Sequence, residues 1–361
     1  MNWKQNWGGI RLSSKESTNY SLSKWIYDEG PERDIVLSSR VRLARNLQSI
    51  PYPGYADEKD LKQVTKQVKD VLSENEDYAL NYVNLKQLPA IEKKLLVEKN
   101  LTSPDHIKKS TENGLFLDDE EKVSVMINEE DHIRIQALLP GLQLEQAWEN
   151  TDDLDDIFEE KLDFAFSKKW GYLSACPTNL GTGLRASVMV HLPALNITNN
   201  INKMLGAISQ LGLVVRGIYG EGSDSSGNIY QISNQITLGN TEQEIINNLK
   251  SVTTQIIEEE RNTRKRLLHE QEISVRDEIM RSYGILKYAY KISSQEAMEL
   301  LSNVSLGINM EIIEDVNPGV LSELLILIRP AHLQQQEGKE LSAEQRDIKR
   351  AQLIQQRLSQ K

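Results

Sequence analysis

The sequence has 361 residues, with 42 Lys and Arg against 53 Asp and Glu, and carries a net charge of −11 with His neutral. At roughly 150 residues per domain this length implies two domains, and a hydrophobic fraction of 39% excludes a disordered chain. The acidic balance argues against broad nucleic-acid binding, which needs a basic face, and no window approaches the ~18 unbroken apolar residues of a membrane span.

Residues 1–30 are polar and irregular, with Trp3, Trp7 and Trp25 as points that dock. The start, Met1 to Asn6, lacks the apolar stretch of a secretory signal, so the cytoplasm is the expected compartment. Leu61, Val64, Val68, Val71 and Leu72 share one face of a helix expected over 57–73. Between Lys122 and Ala137 the apolar residues alternate on either side of the polar block Asn128–His132, which reads as two strands flanking a carboxylate-rich loop. A helix is expected over 152–167, with Thr151 as N-cap and Leu154, Ile157, Phe158 and Leu162 inward. The acidic run around it, from Glu149 to Asp163, reads as a solvated face. Strands are expected at Ala186–Leu192, Leu213–Ile218 and Ile229–Leu238, with a helix over 198–211 between the first two. Thr241 and Glu244 form a capping box opening a long helix that runs to about 271. Beyond it only short helices are expected, opened at Ser293, at Asn317-Pro318 and at Ser342. A domain boundary therefore falls inside or just after the 241–271 helix.

Five segments carry residue types that are costly to bring together unless something binds. In an extended Leu37–Arg42, Arg40 and Arg42 lie on one face, either as an anion clamp or as a solvated basic edge. The run Glu129-Glu130-Asp131 before Arg134 suits a base or a cation site, or is a polar hairpin tip. Cys176–Arg185 contains a Gly-Thr-Gly turn whose N–H groups could face phosphate, although it lacks the Gly-Lys-Ser/Thr ending of a Walker loop. Cys176, the single cysteine, excludes a disulfide framework or a Cys-rich zinc site, and taken alone reads as a small buried hydrophobe. The histidines at 106, 132, 191, 269 and 332 show no metal-ligand spacing. Arg216–Asp224 reads as a strand entering a loop that either closes over a substrate or is simply mobile. Arg346–Ala351 on the last helix reads first as an ordinary charged face.

Taken in order and spacing, Ser38–Arg45, Asn128–Arg134, Cys176–Arg185 and Arg216–Glu221 resemble the phosphagen (guanidino) kinase catalytic domain over about residues 30 to 260. Gly181–Met189, Arg216–Glu221 and the Arg-Asp-x-x-Arg-Ala motif at 346–351 resemble its bacterial protein-arginine kinase branch. Only 37 residues precede Ser38, where small-guanidine kinases resemble one another in carrying a helical domain of roughly 100 residues. The resemblance implies an α+β fold: an antiparallel sheet flanked by helices, followed by an all-helical domain. The expected division is an N-terminal segment at 1–30, a catalytic domain at 31–257 and a helical dimerisation and phosphoarginine-binding domain at 258–361.

For the site, the resemblance implies a nucleotide clamp of Arg40, Arg42, Arg134, Arg185 and Arg216. Around it lie Ser38, Ser39, Val41, Ala186, Ser187, Val188, Met189, Gly217, Ile218, Tyr219, Gly220 and Glu221. Glu130 would orient the guanidine and take its proton, with Glu129 and Asp131 behind it. Glu221 would be the second substrate carboxylate, and Cys176 a thiolate adding negative charge beside the guanidine. ATP and Mg²⁺ are implied, the metal held mainly by nucleotide and water, with no protein metal cage. Arg346, Asp347, Ile348, Lys349, Arg350 and Ala351 would bind phosphoarginine as an allosteric signal. Tyr219 stands where creatine and arginine kinases carry another Arg, and Asn100 where family members usually place a His that stacks on adenine. The implied activity is phosphorylation of arginine in proteins, which inactivates a heat-shock repressor and marks misfolded proteins for a Clp-type unfoldase. An activator protein and a homodimer are implied as well, with no membrane or direct nucleic-acid partner. Two other readings are a kinase for free arginine or another small guanidine, and an inactive phosphoarginine-binding adaptor.

Overall fold

Strand alternation decides which side of the molecule carries the chemistry. The computed structural model describes residues 22–75, 78–109, 111–217 and 226–359. Trp3, Trp7 and the segment 218–224 named above lie outside them. The main strands are β1 (Val36–Arg45), β2 (Asn81–Asn84), β3 (Gly114–Leu117), β4 (Val123–Ile127) and β5 (Ile133–Pro140). A small hairpin, β6 (Phe166–Ser167) and β7 (Gly171–Tyr172), precedes β8 (Leu184–His191), β9 (Leu213–Gly217) and β10 (Ile229–Asn234). Among the described residues the sheet is eight-stranded and antiparallel in the order β2-β3-β4-β5-β1-β8-β10-β9, which puts the ten-residue β1 at its centre.

One face of this sheet is apolar. Val41, Leu43, Ile133, Ile135, Ala186 and Val188 are buried there against three helices, α2 (Glu58–Ser73), α5 (Leu144–Glu159) and α8 (Glu242–Glu270). α2 starts where its residues dictate, since Asp57 and Asp60 close a capping box. The expected box at Thr241 and Glu244 opens the 29-residue α8.

Three expected elements are redrawn. Thr151 is not a cap: α5 begins at Leu144, and the Thr151 hydroxyl bonds back to Ala147 O and Trp148 O in mid-helix. The acidic run is solvated except at Asp155, which is buried and pairs with Arg45 at 2.5 Å. The 198–211 helix is two, α6 (Pro193–Ile197) and α7 (Ile201–Gln210), broken where Asn199 takes a left-handed φ of 57°. β10 stops at Asn234 because that side chain bonds Ala186 N and Leu184 O, turning the chain away before Leu238.

After α8 come α9 (Glu272–Tyr288), α10 (Ser294–Asn309), α11 (Val320–Leu327), α12 (Pro330–Glu337) and α13 (Ala343–Leu358), three of them 16 or 17 residues long rather than short. Ser293 and Ser342 cap α10 and α13 as expected. These helices form a second apolar cluster that also takes in Leu37, Ala194 and Ile229 from around the sheet. The early helices α1 (Lys24–Tyr27), α3 (Ala90–Glu98) and α4 (Pro104–Lys108) dress the other end. Trp25 and Ile26 of α1 meet Leu138 and Ile326, and the Glu98 carboxylate accepts from Ala331 N and His332 N at the start of α12. No helix among the described residues is long and apolar enough to cross a membrane.

His106 of α4 is fully buried, its Nε2 at 2.9 Å from Ile127 O and its Nδ1 at 2.8 Å from the Thr102 hydroxyl, which fixes the neutral Nε2–H form. Burial pushes it down to about 4. The unfolded chain therefore takes up this proton first, so the contribution is full above the ordinary His value and is lost as pH falls towards 4. Between pH 7 and 5 this side chain is expected to cost about 2 kcal/mol of stability. In urea titrations at the two pH values, His106→Gln should remove that part of the difference. An unchanged difference would mean that the ring titrates normally in the fold.

Candidate active site

The other face of the sheet carries the arginines, and the strand register puts them there. Arg42 lies opposite Gln136 on one side and Arg185 on the other, and Arg40 lies opposite Ser187. Arg134 pairs across to Ala44, on the same face as Arg42. Arg216 lies opposite Gln231, itself opposite Met189, two residues on from Ser187. Residues directly across a ladder share a face, so the five guanidinium groups collect on one side. Val41, Ala186 and Val188, expected near the nucleotide, point into the apolar core and offer only backbone. Ser39 is likewise turned away, donating to Gly141 O and accepting from Gln143 N. Ser38 is buried at the far end of β1, and Gly217 ends β9.

Burial and mutual repulsion work against these charges. Burial first, then Arg185 and Arg134, lower Arg40 to about 10, although Gln231 accepts a hydrogen bond from it at 3.0 Å. Arg42 is pushed down further by burial and by Arg40, Arg134 and Arg185, and Arg185 by burial and Arg216. The buried Nε atoms of Arg42 and Arg185 have no hydrogen-bond partner among the described residues. These side chains keep their charge at neutral pH, so the unmet demand is for an anion with several oxygens.

The loop between β4 and β5 supplies the carboxylates. Arg134 Nη1 is 2.6 Å from Glu129, and its Nη2 is 2.9 Å from Glu130 and 3.7 Å from Asp131. Burial opposes the Glu129 charge, but Arg134, the Glu130 N–H and the Ser103 hydroxyl outweigh it and hold its carboxyl below the usual range. Glu130 is 45% exposed, so of the two it is the one open to an incoming group. Facing it is the segment after β7, where Cys176 Sγ lies 3.0 Å from the Thr178 hydroxyl. Arg42, Glu130, Arg134, Cys176, Thr178 and Arg185 line one cleft of about 180 Å³. A larger groove of about 540 Å³ between α7 and α8 has Leu195, Met204, Ile208 and Ile256 in its wall, without such a grouping of arginine, carboxylate and thiol.

The Gly-Thr-Gly turn is not a phosphate cradle. The N–H groups of Gly181, Thr182 and Leu184 go to Tyr172 O, Thr237 O and the Thr182 hydroxyl. Gly183 has φ of 68°, and a Cβ there would sit 2.6 Å from Ala44 O and from Arg45 Nη1. The turn exists to let the thiol segment return close against β1. Arg45 anchors it, donating to Thr182 O, pairing with Asp155 and stacking 3.5 Å from the centre of the Tyr172 ring. Burial raises Asp155 to about 6 despite Arg45.

Asn100 ends α3 with a left-handed φ of 60°, which suits Asn, and its carbonyl accepts from Gln136 beside Arg42. In α13, Arg350 is buried and donates to Ile328 O, Ile292 O and Asp347, so Asp347 is already paired within the helix. Arg346 donates to Leu341 O, Ile348 is exposed, Lys349 pairs with Glu337, and Ala351 is buried. Ser103, Gln136, Gln231 and Asn46 are contributors the sequence did not announce. Each acts through hydrogen bonds to distant segments, with no periodicity or motif to mark it.

The family model described as ATP:guanido phosphotransferase, C-terminal catalytic domain, matches residues 63–263, and that described as Protein-arginine kinase McsB C-terminal domain matches 272–361. The protein-arginine kinase of Halothermothrix orenii is 65% identical over 96% of this chain and 100% of its own length. The chain belongs to the protein-arginine kinase family. The protein-arginine kinase of Bacillus subtilis is 48% identical, over 96% of each chain. Among solved structures, a lombricine kinase matches at 26% identity and a TM-score of 0.56, over 63% of this chain and 67% of its own. A duplicated taurocyamine kinase from Schistosoma mansoni with bound transition state analog components matches at 28% identity and a TM-score of 0.57, over 63% of this chain and 33% of its own. The catalytic region thus has the phosphagen kinase fold, and family membership implies ATP as phosphoryl donor.

Replacing one half-buried charge that lies among other cations should stabilise the unliganded protein. Arg42→Met is expected to melt about 2–4 °C higher than wild type without nucleotide, corresponding to about 1 kcal/mol, and to gain less from added ATP or sulfate. Differential scanning fluorimetry checks both, and a lower melting point for the variant would mean that the face carries no such strain.

Proposed function

We propose that this protein transfers the γ-phosphoryl group of ATP to arginine side chains of other proteins. The observation that carries this reading is the single cleft in which Arg42, Arg134 and Arg185 meet Glu130 and Cys176. The C-terminal region matched by the protein-arginine kinase model supports a protein acceptor over a free amino acid.

Phosphoryl transfer passes through a loose transition state, so alignment and charge neutralisation are the main tasks. Arg40, Arg42, Arg134, Arg185 and Arg216 spread over the sheet face would hold the phosphate oxygens. The two buried, unpartnered Nε atoms are the local sign that the set fits such an anion. Mg²⁺, when bound, supplies further charge neutralisation. Among the described residues no group of three or more His, Cys, Asp or Glu forms a metal site, and in our reading nucleotide and water hold the ion. A guanidinium becomes a nucleophile only as a proton leaves. Glu130 would accept that proton while the acceptor nitrogen bonds to phosphorus and the bond to the ADP oxygen breaks. Cys176 would face the guanidine as a thiolate from the opposite wall, with Glu129 behind Glu130, holding Arg134. Glu221, in the segment outside the described residues, is proposed as the second carboxylate on the guanidine.

The wider role follows from the same reading. The product would mark misfolded proteins for a Clp-type unfoldase and inactivate a heat-shock repressor in the cytoplasm. An activator protein and homodimerisation through the helical region would regulate it. Phosphoarginine would bind at Arg346 to Ala351, where Arg346 and Lys349 are the cations not fully buried and Arg350 holds the helix in place.

The test is label transfer from ATP to an arginine-containing protein and, separately, to free arginine. Label on protein that is lost in acid and kept in base is expected, as the P–N bond is acid-labile. Glu130→Gln should lower the rate by about 10²–10⁴. Label on free arginine alone would assign the chain to small-guanidine metabolism. Failure to label either, with phosphoarginine still bound, would make it an adaptor.

A further inference from the structure

The proposed base and the proposed thiol stand on segments far apart in the chain, and one buried carboxylate joins them. Asp131 is fully buried immediately after Glu130. Its Oδ1 accepts from Ala175 N, the residue before Cys176, at 2.7 Å, and from Asn46 Nδ2, also at 2.7 Å. Asn46 completes the junction. Its Nδ2 also donates to Leu173 O, its Oδ1 accepts from His132 N, and its own carbonyl accepts from Ala165 N. The end of β1, the carboxylate loop and the thiol segment are thus tied at one point. The other Asp131 oxygen has no hydrogen-bond partner among the described residues and lies 3.7 Å from Arg134.

Burying a carboxylate is expensive unless it is paired or hydrogen-bonded. Here the cost is met by bonds reaching into two separate segments, which a residue serving only its own loop would not need. We propose that Asp131, braced by Asn46, is a positioning residue that sets the separation of Glu130 and Cys176 and so the fit of the acceptor guanidine. It does so through Oδ1, as a hydrogen-bond acceptor, and its charge towards Arg134 is secondary. The acceptor is then sensitive to Asp131, whereas the nucleotide, held by the strands, is not. The kinetic half of this inference rests on the proposed function, and the structural half stands without it.

Three variants test it in the full chain. Asp131→Asn keeps an oxygen where Oδ1 is and removes the charge, and should stay within about fivefold of wild type. Asp131→Ala removes the acceptor. Its kcat/KM for the arginine-bearing protein should fall about 10- to 100-fold, the range for a lost bond to a charged group and a misplaced reacting pair, with KM for ATP within twofold. Ala175→Pro removes the donor at an exposed position and leaves the carboxylate intact, so it should reproduce the acceptor defect even if Asp131→Ala does not fold. In parallel, the rate of Cys176 alkylation by iodoacetamide should change at least threefold in Asp131→Ala or Ala175→Pro and not in Asp131→Asn. The proposal is overturned if Asp131→Asn is as impaired as Asp131→Ala, if acceptor and ATP terms fall together, or if Ala175→Pro matches wild type. Should wild type label no protein arginine, the proposed function fails, and alkylation alone still decides whether Asp131 holds the thiol segment.

Discussion

Repulsion among guanidinium groups on one face of an antiparallel sheet is the constraint around which this molecule is arranged. A sheet tolerates such a face only if the other supplies enough apolar burial to hold the strands in register, and here Val41, Leu43, Ile135 and Val188 do so against three long helices. Register then becomes functional, because a slip by one residue would send Arg40 and Arg42 into the core. The central strand is flanked on both sides by long ladders, to β5 and to β8, which is where such a slip is hardest.

The arginines are not all treated alike. Arg134 is surrounded by Glu129, Glu130 and Asp131, whereas Arg42 makes no ion pair among the described residues. The cleft is therefore graded, with compensated charge on the carboxylate side and uncompensated charge towards Arg42. An anion entering it meets least competition at Arg42, and a cation at Glu130. That gradient orders two oppositely charged reactants without a barrier between them.

Local chemistry was legible in the sequence and remote chemistry was not. Alternation gave the strands around the carboxylate loop, and the Arg-x-Arg spacing gave a shared face once the strand was assumed. The boxes at Thr241 and Ser342 gave helix starts, because in each case cause and effect lie within four residues. The start of α5 escaped because Gln143 makes no side-chain cap, while Thr151 has the chemistry of a cap and spends it inside the helix. The glycines at 181 and 183 suggest exposed N–H groups, and the structure shows that they permit close approach instead. Asn46 and Gln231 had no sequence mark, because their partners are selected by the sheet order rather than by nearby residues. The order and spacing of the arginine, carboxylate and cysteine motifs carried the family resemblance, which no single segment did.

The apolar cluster of the C-terminal helices takes Leu37, Ala194 and Ile229 from the catalytic side, and Leu138 likewise packs on Ile326. These side chains draw part of their apolar cover from the C-terminal helices. Severed near residue 271, the catalytic portion would present them to water beside a Glu98 carboxylate that had lost its helix. Such a fragment would self-associate through the exposed patch rather than report on catalysis. The seam between the two regions is thus part of one cooperative unit, and an inherited change on the α10–α11 side would be felt as reduced solubility of the whole enzyme before it was felt as altered chemistry.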